Sequence, residues 1–208
     1  MTTAAPGYIV KQRLNLHYLL ERSTENGPGT RAVIWVQGCT LRCPGCFNPD
    51  THDLGVRTLV AVDDLARRLT AIAGIEGITI SGGEPFLQAA PLAALGELVQ
   101  QAGLGIVVFT GFTYAHLVQA DAPAWNALLT VTDLLIAGPF RQALASPRLT
   151  LRGSANQTLH YLSDRYAALQ VQYEQSPGGV EILIDPTGDI TLTGFPHRLD
   201  LSPSSSPD

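Results

Sequence analysis

Three cysteines, Cys39, Cys43 and Cys46, are the only ones in the chain, and they fall within eight residues of one another. An odd, tightly clustered set makes a poor disulfide framework, because one thiol is left over and the closed loops would be very small. The run Gly38-Cys-Thr-Leu-Arg-Cys-Pro-Gly-Cys46 has the spacing C-x3-C-x2-C. Three thiolates on one short loop grip a metal centre from one side. A four-iron cube ordinarily takes four cysteines. With three, one iron keeps an open position for a small molecule, by the logic that separates catalytic from structural metal sites. Two other readings stand beside this one. Cys39, Cys43, Cys46 and His52 could ligate a structural zinc, although zinc ligands usually come in two separated pairs. Three unrelated buried thiols are the third reading.

A second constellation is Ser81-Gly-Gly-Glu-Pro85. Adjacent glycines let a backbone approach a ligand closely, Glu84 adds an acceptor, and Pro85 suits the start of a turn. Taken alone, the stretch reads as an ordinary strand-to-helix turn.

These residues need a scaffold, and the pattern around them supplies one. Ala32–Val36 reads as a buried strand leading straight into the cysteine loop, after the turn residues Asn26-Gly27 and Pro28-Gly29. A weaker strand or hairpin spans 8–20. Residues 62–73 carry Leu65, Leu69 and Ile72 at helical spacing behind Asp63 and Asp64. Residues 77–80 form a strand into the glycine pair. A helix over 91–102, a strand over 104–110, helical segments over 114–120 and 124–129 and a strand over 133–136 follow. Alternating strands and helices imply βαβ units and a parallel sheet with its chemistry at the carboxyl edge. Residues 139–157 have no clean period. Residues 180–184 and 189–193 around Asp185-Pro-Thr-Gly188 read as a β-hairpin, and the Ser- and Pro-rich 201–208 as a disordered tail.

The chain has 208 residues, 45% hydrophobic and 15% charged. At roughly 150 residues per domain this is one domain with additions. A net charge of −5 and a single lysine, Lys11, speak against a nucleic-acid or anionic-membrane surface. No apolar run approaches the ~18–20 residues that span a bilayer. The N-terminus lacks the basic and apolar regions of a signal peptide, so a cytoplasmic protein is expected.

The two motifs together resemble the radical S-adenosylmethionine (SAM) superfamily. The closer likeness is to the activating proteins of anaerobic ribonucleoside-triphosphate reductase. It rests on Asn26-Gly-Pro-Gly-Thr-Arg31, the cysteine loop through Asn48, Ser81–Pro85, and Asp133-Leu-Leu-Ile-Ala-Gly-Pro-Phe140 leading to Arg152-Gly-Ser-Ala-Asn-Gln157. The resemblance implies an α/β fold of partial (β/α) barrel type with a C-terminal β-hairpin extension. It implies a single radical SAM domain over 1–200, with its core at about 26–157 and the extension at about 158–200. It further implies a [4Fe–4S] cluster on Cys39, Cys43 and Cys46, and SAM bound near Gly82, Gly83, Glu84, Thr110 and Phe47. Such enzymes cleave SAM reductively to a 5′-deoxyadenosyl radical, with a flavodoxin or ferredoxin-type electron donor. The partner would be a glycyl-radical enzyme resembling anaerobic ribonucleotide reductase. Another peptide or small molecule as substrate, or a zinc-binding interaction module, are the alternatives. Phe47 follows the third cysteine, where the superfamily often has an aromatic just before it. Trp35 and Trp125 are expected in the core. His17, His116, His160 and His197 are expected in structural roles, and Asn156 in a turn. Arg31 and Arg152 could pair with a carboxylate of SAM or of a partner, or form an ordinary salt bridge.

Overall fold

The computed structural model describes residues 12–195. The tail at 201–208, Lys11 and His197 lie outside them, as does the start of the expected leading strand. The rest of that strand is β1 (Arg13–Ser23), followed by β2 (Arg31–Val36), β3 (Thr58–Ala61) and helix α1 (Val62–Thr70). Then come β4 (Gly77–Gly82), α2 (Ala89–Gln101), β5 (Gly105–Thr110), α3 (Tyr114–Ala120), α4 (Pro123–Val131) and β6 (Leu134–Ala137). The chain continues with β7 (Thr158–Tyr161), α5 (Gln170–Gln175), β8 (Val180–Ile184) and β9 (Ile190–Gly194).

One sheet runs β3-β1-β2-β4-β5-β6-β7, and β8-β9 form a separate pair. The strands β2, β4, β5 and β6 are parallel in adjacent pairs, whereas β1, β3 and β7 join antiparallel. Among the described residues the sheet is open, with β3 and β7 as its edges. The architecture is thus mixed α/β around a parallel centre, with an antiparallel hairpin after it.

The parallel strands alternate between two buried faces, which is why they read as continuous apolar runs. On one face Ala32, Ile34, Ile78, Ile80, Ile106 and Val108 pack under α1, α2 and α4 in the main core. On the other, Val107, Leu134 and Ile136 meet Leu151 and Tyr166, with Phe109 and Phe195 at the margin. Among the described residues this second face is covered by the irregular stretch after β6 and by the C-terminal extension, including Tyr173 of α5.

Several boundaries move for local reasons. The helix expected over 62–73 ends at Thr70, and Ile72 closes the following turn through its N–H to Leu69 O. The helix α2 begins at Ala89 because a 3-10 turn over Pro85–Gln88 feeds it. Pro91 then sits in the first turn, where its missing N–H leaves no bond unmade. Trp125 is only partly buried; it packs against the core and donates its indole N–H to Phe86 O.

The C-terminal hairpin is inverted relative to a usual amphipathic strand pair. Ile182 pairs with Leu192 and Ile184 with Ile190 in register, and all four are exposed, Ile184 by 68%. The opposite face carries Glu181 and Thr193, and these meet the body. Glu181 Oε2 accepts from Ser23 Oγ (2.5 Å) and Thr24 N (3.3 Å), and Thr193 Oγ1 accepts from Asn26 Nδ2 (2.7 Å).

Candidate metal and cofactor site

The end of β2 turns sharply at Gly38, whose φ of 102° favours glycine. The Gly38 N–H donates to Thr51 O, and Gly38 O accepts from Glu84 N, both at 2.8 Å. The Gly83 N–H donates to Val36 O at 2.8 Å. Backbone bonds therefore stitch the Gly-Gly-Glu turn at the end of β4 directly onto the start of the cysteine loop. No side chain fits between them: a Cβ on Gly83 would run into the Gly38 carbonyl. The loop is clamped again by Leu41, which occupies the space a Cβ on Gly111 would need.

Cys39 is buried and Cys43 and Cys46 are half-buried, and all three thiols are free. They line a cleft of about 120 Å³ at the carboxyl ends of the parallel strands, open to solvent at its mouth. Burial pushes the Cys46 thiol up, partly offset by the Asn48 N–H that donates to its sulfur at 3.4 Å; the thiols of Cys43 and Cys39 push it up further. A positive metal centre would reverse that bias, since ligation deprotonates a thiol.

Gly82, Gly83, Glu84, Thr110 and Phe47 line the same cleft, so the structure brings together every residue that the sequence singled out for cofactor binding. Glu84 is wholly buried. Its Oε1 accepts from Phe86 N (3.0 Å) and Thr110 Oγ1 (2.8 Å), and its Oε2 from Gly111 N (2.8 Å). Burial raises its carboxyl to about 7, although those three donors pull the other way. The carboxylate ties the end of β4 to the end of β5.

His52 also reaches the cleft, with its Nε2 buried and without a hydrogen-bond partner among the described residues. Among the described residues, no three His, Cys, Asp or Glu side chains gather closely enough to hold a single ion. A cube gripped at three corners spreads its ligands more widely, so three thiols lining a cleft together with Gly82, Gly83, Gly111 and Gly138 suit it.

Arg31 takes neither role considered for it. It is fully buried at the foot of β2, away from the cleft. It donates five hydrogen bonds to neutral acceptors: Nε to Thr79 Oγ1, Nη1 to Pro28 O and Tyr166 Oη, and Nη2 to Ile78 O and Gly105 O, at 2.6–2.9 Å. Arg152 is half-buried, and its Nε has no hydrogen-bond partner among the described residues. Asn156 bonds backbone as expected, donating Nδ2 to Pro139 O at 2.7 Å. The described lone histidines are structural: His17 pairs with Gln37 (2.7 Å), His116 packs on Phe112 and Trp125, and His160 stacks on Tyr114.

Sequence reasoning missed Leu41, Phe109, Phe140, Gln157 and Phe195 as cleft residues. Gln157 closed a motif already singled out, and its role in the turn is to accept from Gly153 N and Ser154 N. Phe195 carried no signal at all.

Comparison with known proteins agrees with this geometry. The model of the 4Fe-4S single cluster domain family matches residues 25–160. The anaerobic ribonucleoside-triphosphate reductase-activating protein of Vibrio cholerae is 36% identical over 156 residues, covering 71% of this chain and 97% of that protein. Its counterpart in Escherichia coli K12 is 33% identical over 159 residues, 72% of this chain and 99% of that one. The pyruvate formate-lyase-activating enzyme of Listeria monocytogenes is 28% identical over 171 residues, 78% of this chain and 68% of that one. The family match stops before α5, β8 and β9.

Proposed function

This chain belongs to the family of 4Fe-4S single cluster domains, and within it to the radical SAM activating proteins, and from that premise we propose that it installs a glycyl radical on a partner enzyme resembling anaerobic ribonucleotide reductase. The observation that carries the reading is the meeting of three free thiols with Gly82, Gly83 and Glu84 across one cleft.

Cys39, Cys43 and Cys46 would hold the cluster and leave one iron open. When bound, the reduced cluster and SAM supply the reductive cleavage that yields a hydrogen-abstracting carbon radical. The protein's share is placement and exclusion of water. The Gly82-Gly83 backbone, with no side chain in the way, would receive the methionine end of SAM. Glu84, held by Thr110 and Gly111, would face its amino group. Leu41, Phe109 and Phe140 give the cleft apolar walls, which shield a radical from solvent. The open sheet would then be the wall of a partial (β/α) barrel, and the described chain one domain with a C-terminal extension. A flavodoxin or ferredoxin-type protein would deliver the electron, in the cytoplasm. Among the described residues no helix is long and apolar enough to cross a membrane.

The test is anaerobic reconstitution with iron and sulfide, followed by SAM and a strong reductant. Roughly four irons per chain, release of 5′-deoxyadenosine and a glycyl-radical signal on added anaerobic ribonucleotide reductase are expected. Cys39→Ala, Cys43→Ala and Cys46→Ala should each abolish nucleoside release. One zinc in a colourless protein would overturn the reading. Because the hairpin lies beyond the matched residues, a different peptide substrate is the second reading, and a radical on that reductase would remove it.

A further inference from the structure

The C-terminal extension enters the cleft at one point. Phe195, directly after β9, lines it together with Phe47, Phe109 and Phe140. The rings of Phe47 and Phe195 meet edge to face, with centroids 6.0 Å apart and planes at 82°. Phe109 also packs on Phe195, with ring centroids 5.8 Å apart. Phe47 packs in turn on Phe140, at 5.0 Å, and fills the space a Cβ on Gly153 would need. The residue next to the last cysteine is therefore fixed by three neighbours, and one of them comes from outside the part of the chain that matches the family.

The extension is held so that this ring stays in place. The Phe195 N–H donates to Gly179 O at 3.2 Å. Thr193, two residues earlier, is buried and accepts from Asn26 Nδ2. Glu181 is bonded to Ser23 and Thr24, and Thr150 donates to Ser176 O. A second hollow, sharing Phe47, Phe109 and Phe195 with the first, runs down the sheet to Asn26 and Thr193. Phe195 thus lines both the cleft and this second hollow.

We propose that Phe195 is a positioning residue of the SAM site: carried in by the C-terminal hairpin, it fixes the Phe47 ring and closes the inner wall of the cleft. The inference rests on the radical SAM reading and goes beyond it, because it makes the extension part of the site. Aromatic pairs of this geometry add to the area they bury. Losing two of them and opening the wall should weaken SAM binding about tenfold, or about 1.4 kcal/mol.

The experiment compares wild type, Phe195→Ala, Phe195→Leu and Phe195→Tyr after anaerobic reconstitution. Iron content, the equilibrium dissociation constant for SAM, the KM and kcat of SAM cleavage, and the melting temperature are measured for each. For Phe195→Ala we expect full iron, SAM binding about tenfold weaker, KM raised more than kcat is lowered, and recovery in Phe195→Tyr. If Phe195→Ala fails to fold, Phe195→Leu carries the test with a smaller loss in the same direction. A lowered melting temperature with unchanged SAM affinity would overturn the proposal, since Phe195 would then be packing alone. Iron-loaded wild type that binds no SAM would overturn the underlying reading and this one with it. Normal wild-type binding with an indifferent variant overturns this one only.

Discussion

Replacing Arg31 tests whether a residue in a family-like motif belongs to the chemistry or to the frame. Its guanidinium is wholly buried, burial lowers its pKa, and its five acceptors are neutral. Hydrogen bonds to a charged donor contribute roughly 1.5–3 kcal/mol each. Desolvation of the ion, several kcal/mol, offsets much of that sum. In Arg31→Met the desolvation cost disappears, but three backbone carbonyls, Thr79 Oγ1 and Tyr166 Oη lose their donor inside the protein. Two glycines also shape the pocket, since a Cβ on Gly27 or Gly77 would press on the Arg31 side chain. The expected loss is about 3–5 kcal/mol, a large part of the stability of a domain this size, with a fall in melting temperature on the order of 10 °C. Arg31→Lys, with three donors in place of five, should lose about half as much. Urea unfolding of the apo protein under reducing conditions, followed by circular dichroism, measures both. A loss below about 1 kcal/mol in Arg31→Met, or weakened SAM binding at unchanged stability, would refute the reasoning and return Arg31 to the site.

Glu84 sets a pH dependence. Its carboxyl is raised from 4.5 to about 7 in the folded protein, so its contribution to stability is complete below about pH 4.5 and is lost as pH rises through 7. Relative to Glu84→Gln, apo wild type should lose up to about 3 kcal/mol between pH 5 and 8, and urea curves that stay parallel with pH would contradict this. Gly83→Ala forces a Cβ into the Gly38 carbonyl. We expect about 1–3 kcal/mol of destabilisation and poorer iron incorporation than in Gly103→Ala, which strains a positive φ of 82° but meets no neighbour; iron content equal to wild type would count against the stitched turn. Asn26→Ala removes the donor shared by Ser23 and Thr193 and should cost about 1–3 kcal/mol. It should also speed chymotrypsin cleavage after Leu192, and unchanged cleavage there would mean that Asn26 does not hold the hairpin.

The sequence revealed most where chemistry dictates spacing. A C-x3-C-x2-C loop and a Gly-Gly-Glu turn are readable because thiol ligation and close backbone approach restrict which residues serve. The parallel strands were readable because both their faces are buried. The strand β3 was not, since Thr58-Leu-Val-Ala61 abuts α1 with no turn residue between them. The strand β7 was hidden behind a long aperiodic stretch, and its place at the sheet edge depends on pairing with β6. Leu41 and Phe195 reach the cleft only through tertiary packing, and nothing in a local window marks a phenylalanine that will travel from the C-terminal extension to the cysteine loop. Arg31 illustrates the opposite limit. A motif shows that a residue type matters at a position, but not whether it faces ligand or frame.

The motifs sort physically into the two ends of the sheet. The cysteine loop and Gly82-Gly83-Glu84 lie where the parallel strands end, and Asn26 to Arg31 where they begin. They are joined along the inner face. Arg31 Nε donates to Thr79 Oγ1, and Thr79 donates to Asn26 O. Asn26 Nδ2 donates to Thr193 Oγ1, and two residues on Phe195 packs against Phe47 beside Cys46. Every link is a buried hydrogen bond, a covalent neighbour or a ring contact, so the foot of the sheet has a continuous physical route to the cleft. The hairpin closes that route with its polar face, which leaves its isoleucines outward. An apolar pair of strands would bury more area by turning the other way. Its orientation follows from the bonds that Ser23, Thr24 and Asn26 make to Glu181 and Thr193, and those bonds set where Phe195 arrives.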